Sequence, residues 1–286
     1  MPSSPITPFE FRGNFYHVKR DDLLTPFDGN KARKFYYFLN NDFPDVKKVI
    51  SFGSNQSNAM YALSMLCRIK GWKFEYYTNH LPEYLQNNPE GNYYYALKNG
   101  MNLKITGLRG EELRKHVLNK KNSDVLIIEE GGRVKESEEG IKMLAKEINE
   151  YCKKNSLKVF LPSGTGTTAY FLAKHLDVEV LTVPCVGDET YLKKQWDMLG
   201  GGVHPKILKP LKKYHFGKLY KNLYQIWKEL KLNGIEFDML YDPIGWESVA
   251  YYGVKDILYI HQGGLKGNVT MLKRYKRKFE TSVDQQ

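Results

Sequence analysis

Cysteine is scarce in this chain: there are three in 286 residues (Cys67, Cys152 and Cys185), and no two form a CxxC pair. Their odd number and wide spacing argue against a disulfide framework and a thiolate zinc site, and fit a reduced, cytoplasmic setting. No apolar run approaches the ~18 residues a membrane-spanning helix requires, so no membrane partner is expected. The opening segment MPSSPITPFEF lacks a basic stretch followed by an apolar one, and no secretory signal is expected there. Zinc-finger spacing, an RNP-type motif and a basic heptad pattern are missing too. So are a Walker A loop, the GxGxxG dinucleotide fingerprint and a GxSxG nucleophile elbow. There is no internal repeat and no low-complexity linker.

Charge and apolar content are plentiful. Forty-three Lys and Arg against thirty-two Asp and Glu leave a formal charge of +11. The positive residues are spread along the chain, apart from one cluster at Lys273, Arg274, Lys276, Arg277 and Lys278 that reads as a solvated helical face or tail. No nucleic-acid partner is expected. A 42% hydrophobic content is enough for a sizeable core, and the length allows roughly one to two domains.

Short apolar runs alternate with segments of helical period. Strands are expected at Val49–Phe52, Phe74–Tyr77, Leu103–Thr106, Val125–Ile128, Val159–Leu161, Val180–Val183, Asp238–Tyr241 and Ile257–Ile260. Between them lie patterns such as Ala59, Ala62, Leu63, Leu66 and Cys67, which share one face of a helix. This alternation predicts α/β architecture with parallel sheets. An eight-stranded barrel fits less well, because loops rich in Gly, Ser, Thr and Asn follow only a few strands. The charged stretch Lys146–Lys158 is the expected crossover between two sheets.

Three loops carry the chemistry. The first, Asp28-Gly29-Asn30-Lys31-Ala32-Arg33-Lys34, sets turn residues before a helix with Phe35, Phe38 and Leu39 on one face. Lys31 therefore sits near a helix N-terminus, where the helix dipole and burial both favour the neutral amine a Schiff base needs. In isolation such a lysine reads as a surface charge. The second loop, Phe52-Gly53-Ser54-Asn55-Gln56-Ser57-Asn58, follows a strand and opens a helix. It offers backbone N–H groups, hydroxyls and amides to a carboxylate, or simply an ordinary N-cap. The third, Pro162-Ser163-Gly164-Thr165-Gly166-Thr167-Thr168, also joins strand to helix, and its glycines and hydroxyls suit a phosphate. Ligands of open α/β sheets bind outside the carboxyl ends of strands. A lysine, an anion cradle and a carboxylate loop together are what an amino acid bound to pyridoxal 5′-phosphate needs.

These residues resemble the 1-aminocyclopropane-1-carboxylate deaminase and D-cysteine desulfhydrase family. The likeness runs through Val18-Lys19-Arg20-Asp21-Asp22-Leu23 and Gly29-Asn30-Lys31-Ala32-Arg33-Lys34, then Gln56-Ser57-Asn58 and Gly91-Asn92. It continues through Glu130-Gly131-Gly132 with Gly140, Ser163–Thr168 and His261-Gln262-Gly263-Gly264, in order and spacing over most of the chain. The resemblance implies a tryptophan-synthase-β-type fold: two α/β domains of three-layer, open, twisted parallel sheets, with the cofactor between them. Residues 1–42 and 152–286 would form the larger, cofactor-binding domain and residues 43–151 the smaller. It implies pyridoxal 5′-phosphate as cofactor, Lys31 as its Schiff-base lysine, Asn58 on its phenolic oxygen, and Gly164, Thr165, Gly166, Thr167 and Thr168 on its phosphate. Asn55, Gln56, Ser57 and Asn58 would hold the substrate, with Ser57 moving a proton or attacking. A small amino acid as substrate and a homodimer are further implications.

One segment departs from the family, whose members usually carry Asp-Pro-Val-Tyr and then a residue facing the pyridine nitrogen. Here the run is Asp242-Pro243-Ile244-Gly245-Trp246-Glu247. Without a gap, Gly245 replaces the tyrosine and Trp246 the pyridine partner. With one inserted residue, the preferred alignment, Trp246 lines the substrate and Glu247 faces the nitrogen. Either way the aromatic hydroxyl is missing, and Tyr241 is the neighbour able to supply one. The expected function is a lyase or deaminase that gives a 2-oxo acid and ammonia. Elimination from D-cysteine is favoured over cyclopropane opening; the alternative is an altered, non-catalytic binder of cofactor or amino acid.

Overall fold

The computed structural model describes residues 3–27 and 29–280; Asp28, read above as a turn residue, lies outside them. Ten strands are found among the described residues: β1 Ile6–Phe11, β2 Asn14–Arg20, β3 Lys48–Phe52, β4 Lys73–Thr78, β5 Met101–Ile105, β6 Val125–Ile127, β7 Lys158–Ser163, β8 Val180–Pro184, β9 Lys206–Ile207 and β10 Ile257–His261. The helices are α1 Asn30–Lys34, α2 Tyr36–Asn40, α3 Asn58–Lys70, α4 Glu83–Asn87, α5 Gly91–Lys98, α6 Gly110–Leu118, α7 Ser137–Lys154, α8 Thr167–His175, α9 Glu189–Asp197, α10 Lys221–Leu232, α11 Asp242–Tyr251 and α12 Asn268–Phe279.

Two sheets result, ordered β1-β2-β10-β7-β8-β9 and β5-β4-β3-β6. Every pairing is parallel except the hairpin β1–β2. That hairpin turns through Arg12 and Gly13, both at positive φ, as a two-residue turn matched to strand twist demands. Its strands alternate exposed Glu10 with buried Phe9 and Phe11, a half-buried edge pattern rather than an apolar run. The central strands β7, β8 and β10 are buried on both faces.

Helices cover both faces of each sheet. On the larger, α7 and α8 pack Ile141, Leu144 and Phe171 against Leu161 and Ile260. On its other face α10 and α11 pack Ile226, Leu230 and Val249 against Phe160 and Val183. On the smaller sheet α3 and α5 join Phe74 and Tyr76 on one face, and α6 joins Ile50 and Phe52 on the other. Two segments shift the expected division of the chain. Phe35 and Phe38 of α1–α2 enter the core of the smaller sheet, and α7 lays its apolar face on the larger one. The crossover therefore precedes Ser137, and Lys146–Lys158 is instead the end of α7 and the entry to β7. The apolar stripe, not the charged surface of α7, decides where the helix lies.

One expected strand is not a strand. Asp238–Tyr241 turns and feeds α11, because the Asp238 carboxylate accepts from the N–H groups of Leu240 (3.0 Å), Tyr241 (2.6 Å) and Asp242 (3.1 Å). A carboxylate that satisfies three backbone donors locally outcompetes a sheet ladder. The basic cluster near the end lies on α12, whose opposite face buries Met271 and Tyr275.

Candidate active site

The three loops meet along the carboxyl edges of β3, β7 and β10. Gly29, at φ 63°, sits so close to the chain after β10 that a Cβ there would fall 1.7 Å from the Gln262 carbonyl oxygen. Only glycine permits that approach. It lets Asn30 donate from its backbone to the Gln262 carbonyl (3.0 Å) and from its side chain to Gln262 Oε1 (2.9 Å). Gln262 Nε2 in turn donates to the Pro162 carbonyl (2.6 Å), tying the lysine loop to the phosphate-type loop. Lys31 Nζ donates to Asn30 Oδ1 at 2.7 Å, so this relay also orients the amine.

Beneath Lys31 lies a buried charge network. Arg33 makes two hydrogen bonds to Asp21 (3.0 and 2.8 Å) and two to Glu147 (2.6 and 2.9 Å). Lys19 pairs with Glu147 at 2.9 Å. Burial pushes the Glu147 carboxyl up, but Arg33 and Lys19 outweigh it and hold it below the ordinary range. A Cβ on Gly140 would lie 2.0 Å from the Arg33 carbonyl, so α7 can only approach α1 with glycine there.

In the phosphate-type loop, Gly164 faces the Tyr241 ring and Gly166 (φ 70°) faces Trp196, whose Nε1 donates to the Gly166 carbonyl at 3.0 Å. Thr165 and Thr167 hydroxyls are 3.1 Å apart, and the Thr168 hydroxyl is buried with no hydrogen-bond partner among the described residues. A buried, unanswered hydroxyl beside backbone donors at a helix start is the chemistry a phosphate completes.

The Gly53–Asn58 loop is more strongly braced than its sequence implies. Asn55 donates to the His80 carbonyl (2.8 Å) and Gln56 to the Glu90 carbonyl (3.0 Å). Ser57 Oγ caps α3, accepting from the N–H of Ala59 (3.2 Å) and Met60 (3.4 Å). Asn58 Oδ1 accepts from Asn92 (2.6 Å), and a Cβ on Gly264 would lie 2.5 Å from Asn58 Nδ2. The turn Glu130–Gly132 closes the remaining side, with Gly131 against Thr165 and Gly132 against Phe35. The His261 ring accepts from the Gly263 N–H at Nδ1 (3.1 Å), and its Nε2 lies 2.8 Å from the Glu236 carbonyl, shaping the closing glycine turn.

Trp246 and Glu247 do not join this assembly, and the expectation that they line it is corrected. Trp246 is fully buried, stacked on Tyr259 at 4.4 Å and ringed by Phe9, Phe11, Tyr16 and Phe237. Glu247 accepts from Tyr214 and from Asn222 (2.7 Å) and lines a separate cleft with Arg12. The gapless position fares no better: Gly245 has its side-chain space filled by Tyr259, whose hydroxyl would lie 2.6 Å from a Cβ there. Tyr241 does reach the site. Residues not anticipated from the sequence are Gln262 as the inter-loop tie, Tyr76, and Asp238, whose buried carboxylate feels the charge of Lys31. Burial raises Asp238 to about 6. Its signal was the Asp-x-x-Tyr spacing before a helix.

No family model and no curated protein matches this chain. Solved structures do. An ACC deaminase homologue superposes with a TM-score of 0.78 at 21% identity, over 96% of this chain and 94% of the other. A hydrogen sulfide-producing enzyme from Fusobacterium nucleatum gives 0.67 at 15%, over 91% and 93%. Threonine deaminase isoform 2 from Solanum lycopersicum gives 0.64 at 14%, over 94% and 82%. The chain thus shares its α/β fold of parallel sheets with these structures over most of its length.

Proposed function

We propose that this chain is a pyridoxal-phosphate-dependent lyase or deaminase that converts a small amino acid to a 2-oxo acid and ammonia. The reading rests on one observation: Lys31, the Gly53–Asn58 loop and the Pro162–Thr168 loop converge, joined through Gln262 and the Glu130–Gly132 turn. The residues fit the cofactor. Thr168 Oγ, the Thr165–Thr167 hydroxyl pair and the start of α8 would hold its phosphate, and Asn58 its phenolic oxygen. When bound, the cofactor supplies an electron sink for a carbanion at the substrate's α-carbon. The protein's share is to hold Lys31 against that carbon through Asn30, to seat the carboxylate on the start of α3, and to move a proton at Ser57 Oγ. Elimination from D-cysteine is favoured over cyclopropane opening, because the Gly245 segment lacks the family's own tyrosine and elimination demands fewer specialised groups.

The same segment favours a second reading, a cofactor or amino-acid binder without turnover. The two are separated by one experiment. Purified protein is mixed with pyridoxal phosphate, reduced with borohydride, and the labelled peptide sequenced; in parallel D-cysteine, D-serine, L-cysteine and 1-aminocyclopropane-1-carboxylate are assayed for 2-oxo acid and ammonia. Label on Lys31 with product is the expected outcome. Label without product across the panel selects the cofactor binder, and no label on Lys31 sinks both the enzyme and the cofactor binder, leaving a binder of amino acid alone.

A further inference from the structure

A cleft of about 500 Å³ opens at the amino end of the larger sheet, away from the three loops at strand carboxyl ends. The β1–β2 turn brings Arg12 and Asn14 to it, and Lys255 enters just before β10. Helices α10 and α11 supply Gln225 and Glu247. Its size is that of a small-molecule site.

Tyr16 is the first feature that points to a ligand. It is 4% exposed, lines the cleft, and packs edge-on against Trp246 at 5.1 Å. Among the described residues its hydroxyl has no hydrogen-bond partner, yet that oxygen is not sealed from solvent. A tyrosine buried to this degree ordinarily sets its O–H on a protein acceptor. This one presents it to the cleft.

The charges are the second feature. Glu229 answers Arg12 at Nε (3.0 Å) and Nη2 (2.9 Å). Glu247 accepts from neutral donors, the Tyr214 hydroxyl and Asn222 Nδ2 (2.7 Å). Among the described residues, Lys255 Nζ and the Gln225 amide have no hydrogen-bond or ion-pair partner, and no ion pair joins Lys255 to Glu247. One carboxylate and one ammonium therefore line the same cleft, each without an opposite charge bound to it. Between them lies apolar surface: Ile226 and Val249 are buried, while Leu211 and Tyr251 remain 40% and 66% exposed.

We propose that this cleft binds a free α-amino acid with a large apolar side chain. Glu247 takes the ammonium group and Lys255 the carboxylate, because a zwitterion is the ligand that answers both charges at once. Tyr16 Oη and the Gln225 amide add neutral hydrogen bonds, and the ligand's side chain covers Leu211 and Tyr251. The proposal does not rest on the pyridoxal-phosphate reading of Lys31, since no residue of the three loops lines the cleft.

The test is titration calorimetry of the full chain with L-phenylalanine, 3-phenylpropanoate and 2-phenylethylamine. The second probe lacks the ammonium group and the third the carboxylate. Lys255→Met, Glu247→Gln, Tyr16→Phe and Lys31→Ala are compared with the wild type, each first checked for native circular dichroism. Phenylalanine should bind saturably at one site, and each truncated probe should bind about tenfold more weakly or worse. Lys255→Met and Glu247→Gln should each weaken phenylalanine about tenfold, and Tyr16→Phe about threefold. Lys31→Ala should leave that affinity unchanged, which separates this cleft from the candidate active site. Absence of saturable binding at millimolar phenylalanine overturns the proposal. So does equal affinity in the wild type and the three cleft variants, or binding that disappears in Lys31→Ala. Affinity for 3-phenylpropanoate equal to that for phenylalanine would leave Glu247 without its role and overturn it as well.

Discussion

Two walls of the candidate site were equally visible as motifs, and they met different fates in the folded chain. The wall made by Lys31, Ser57 and Gly164–Thr168 assembles as loops at strand ends, tied by hydrogen bonds from Asn30 to Gln262, 232 positions away, and from Gln262 to the Pro162 carbonyl, 100 positions away. The wall expected from Trp246 and Glu247 does not assemble: one side chain is core, the other faces a different cleft. Loop residues at strand ends have no competing place in the core, so they stay at the strand ends. A tryptophan on a helix that covers a sheet does have a competing place, and burying its large apolar surface decides the matter.

That contrast can be broken most severely at Lys31. Lys31→Ala should abolish the borohydride label and lower 2-oxo acid formation at least about 10³-fold, with little change in unfolding midpoint; a variant that keeps the label would place the cofactor elsewhere. Trp246→Ala should do the opposite, costing about 3–5 kcal/mol in urea unfolding while leaving the KM of surviving enzyme unaltered. A KM effect without a stability loss would return Trp246 to the site.

The network under α1 comes next. Glu147 is held below its ordinary range in the folded chain, so its contribution to stability is complete above its unfolded value, near 4.5, and drains away as pH falls through the folded value. Unfolding followed against pH should therefore show an acid limb that Glu147→Gln flattens, at a cost of about 3 kcal/mol at neutral pH because Arg33 and Lys19 are left buried without their partner. The smallest effect belongs to Thr168→Val. Removing a hydroxyl that has no partner among the described residues should barely change stability, yet weaken pyridoxal phosphate binding about tenfold, the loss of one charge-assisted hydrogen bond. Equal cofactor affinity in the two proteins would remove Thr168 from the cradle.

Most of the sheet framework was legible because strands buried on both faces read as apolar runs, as at Val159–Leu161 and Ile257–Ile260. The hairpin β1–β2 was not, since its edge strands alternate polar and apolar residues and its Arg-Gly turn is a weak signal. Asp238–Tyr241 read as a strand because its apolar content is visible and its capping bonds are not. In the site, the glycines at 29, 164 and 166 were visible as residues, while the partner each one admits was not: Gln262, Tyr241 and Trp196 lie up to two hundred and thirty-three positions away.

The sequence by itself determined the α/β alternation, the three polar loops at helix starts, and Lys31 as the amine among them, because local residue chemistry is enough to specify turns, caps and strand ends. Only the tertiary structure decided that Gln262 joins two of those loops, that Glu130 and Tyr76 reach the third, and that Trp246 belongs to the core. Those outcomes depend on which surfaces compete for the same space, and that competition exists only once the sheets have packed.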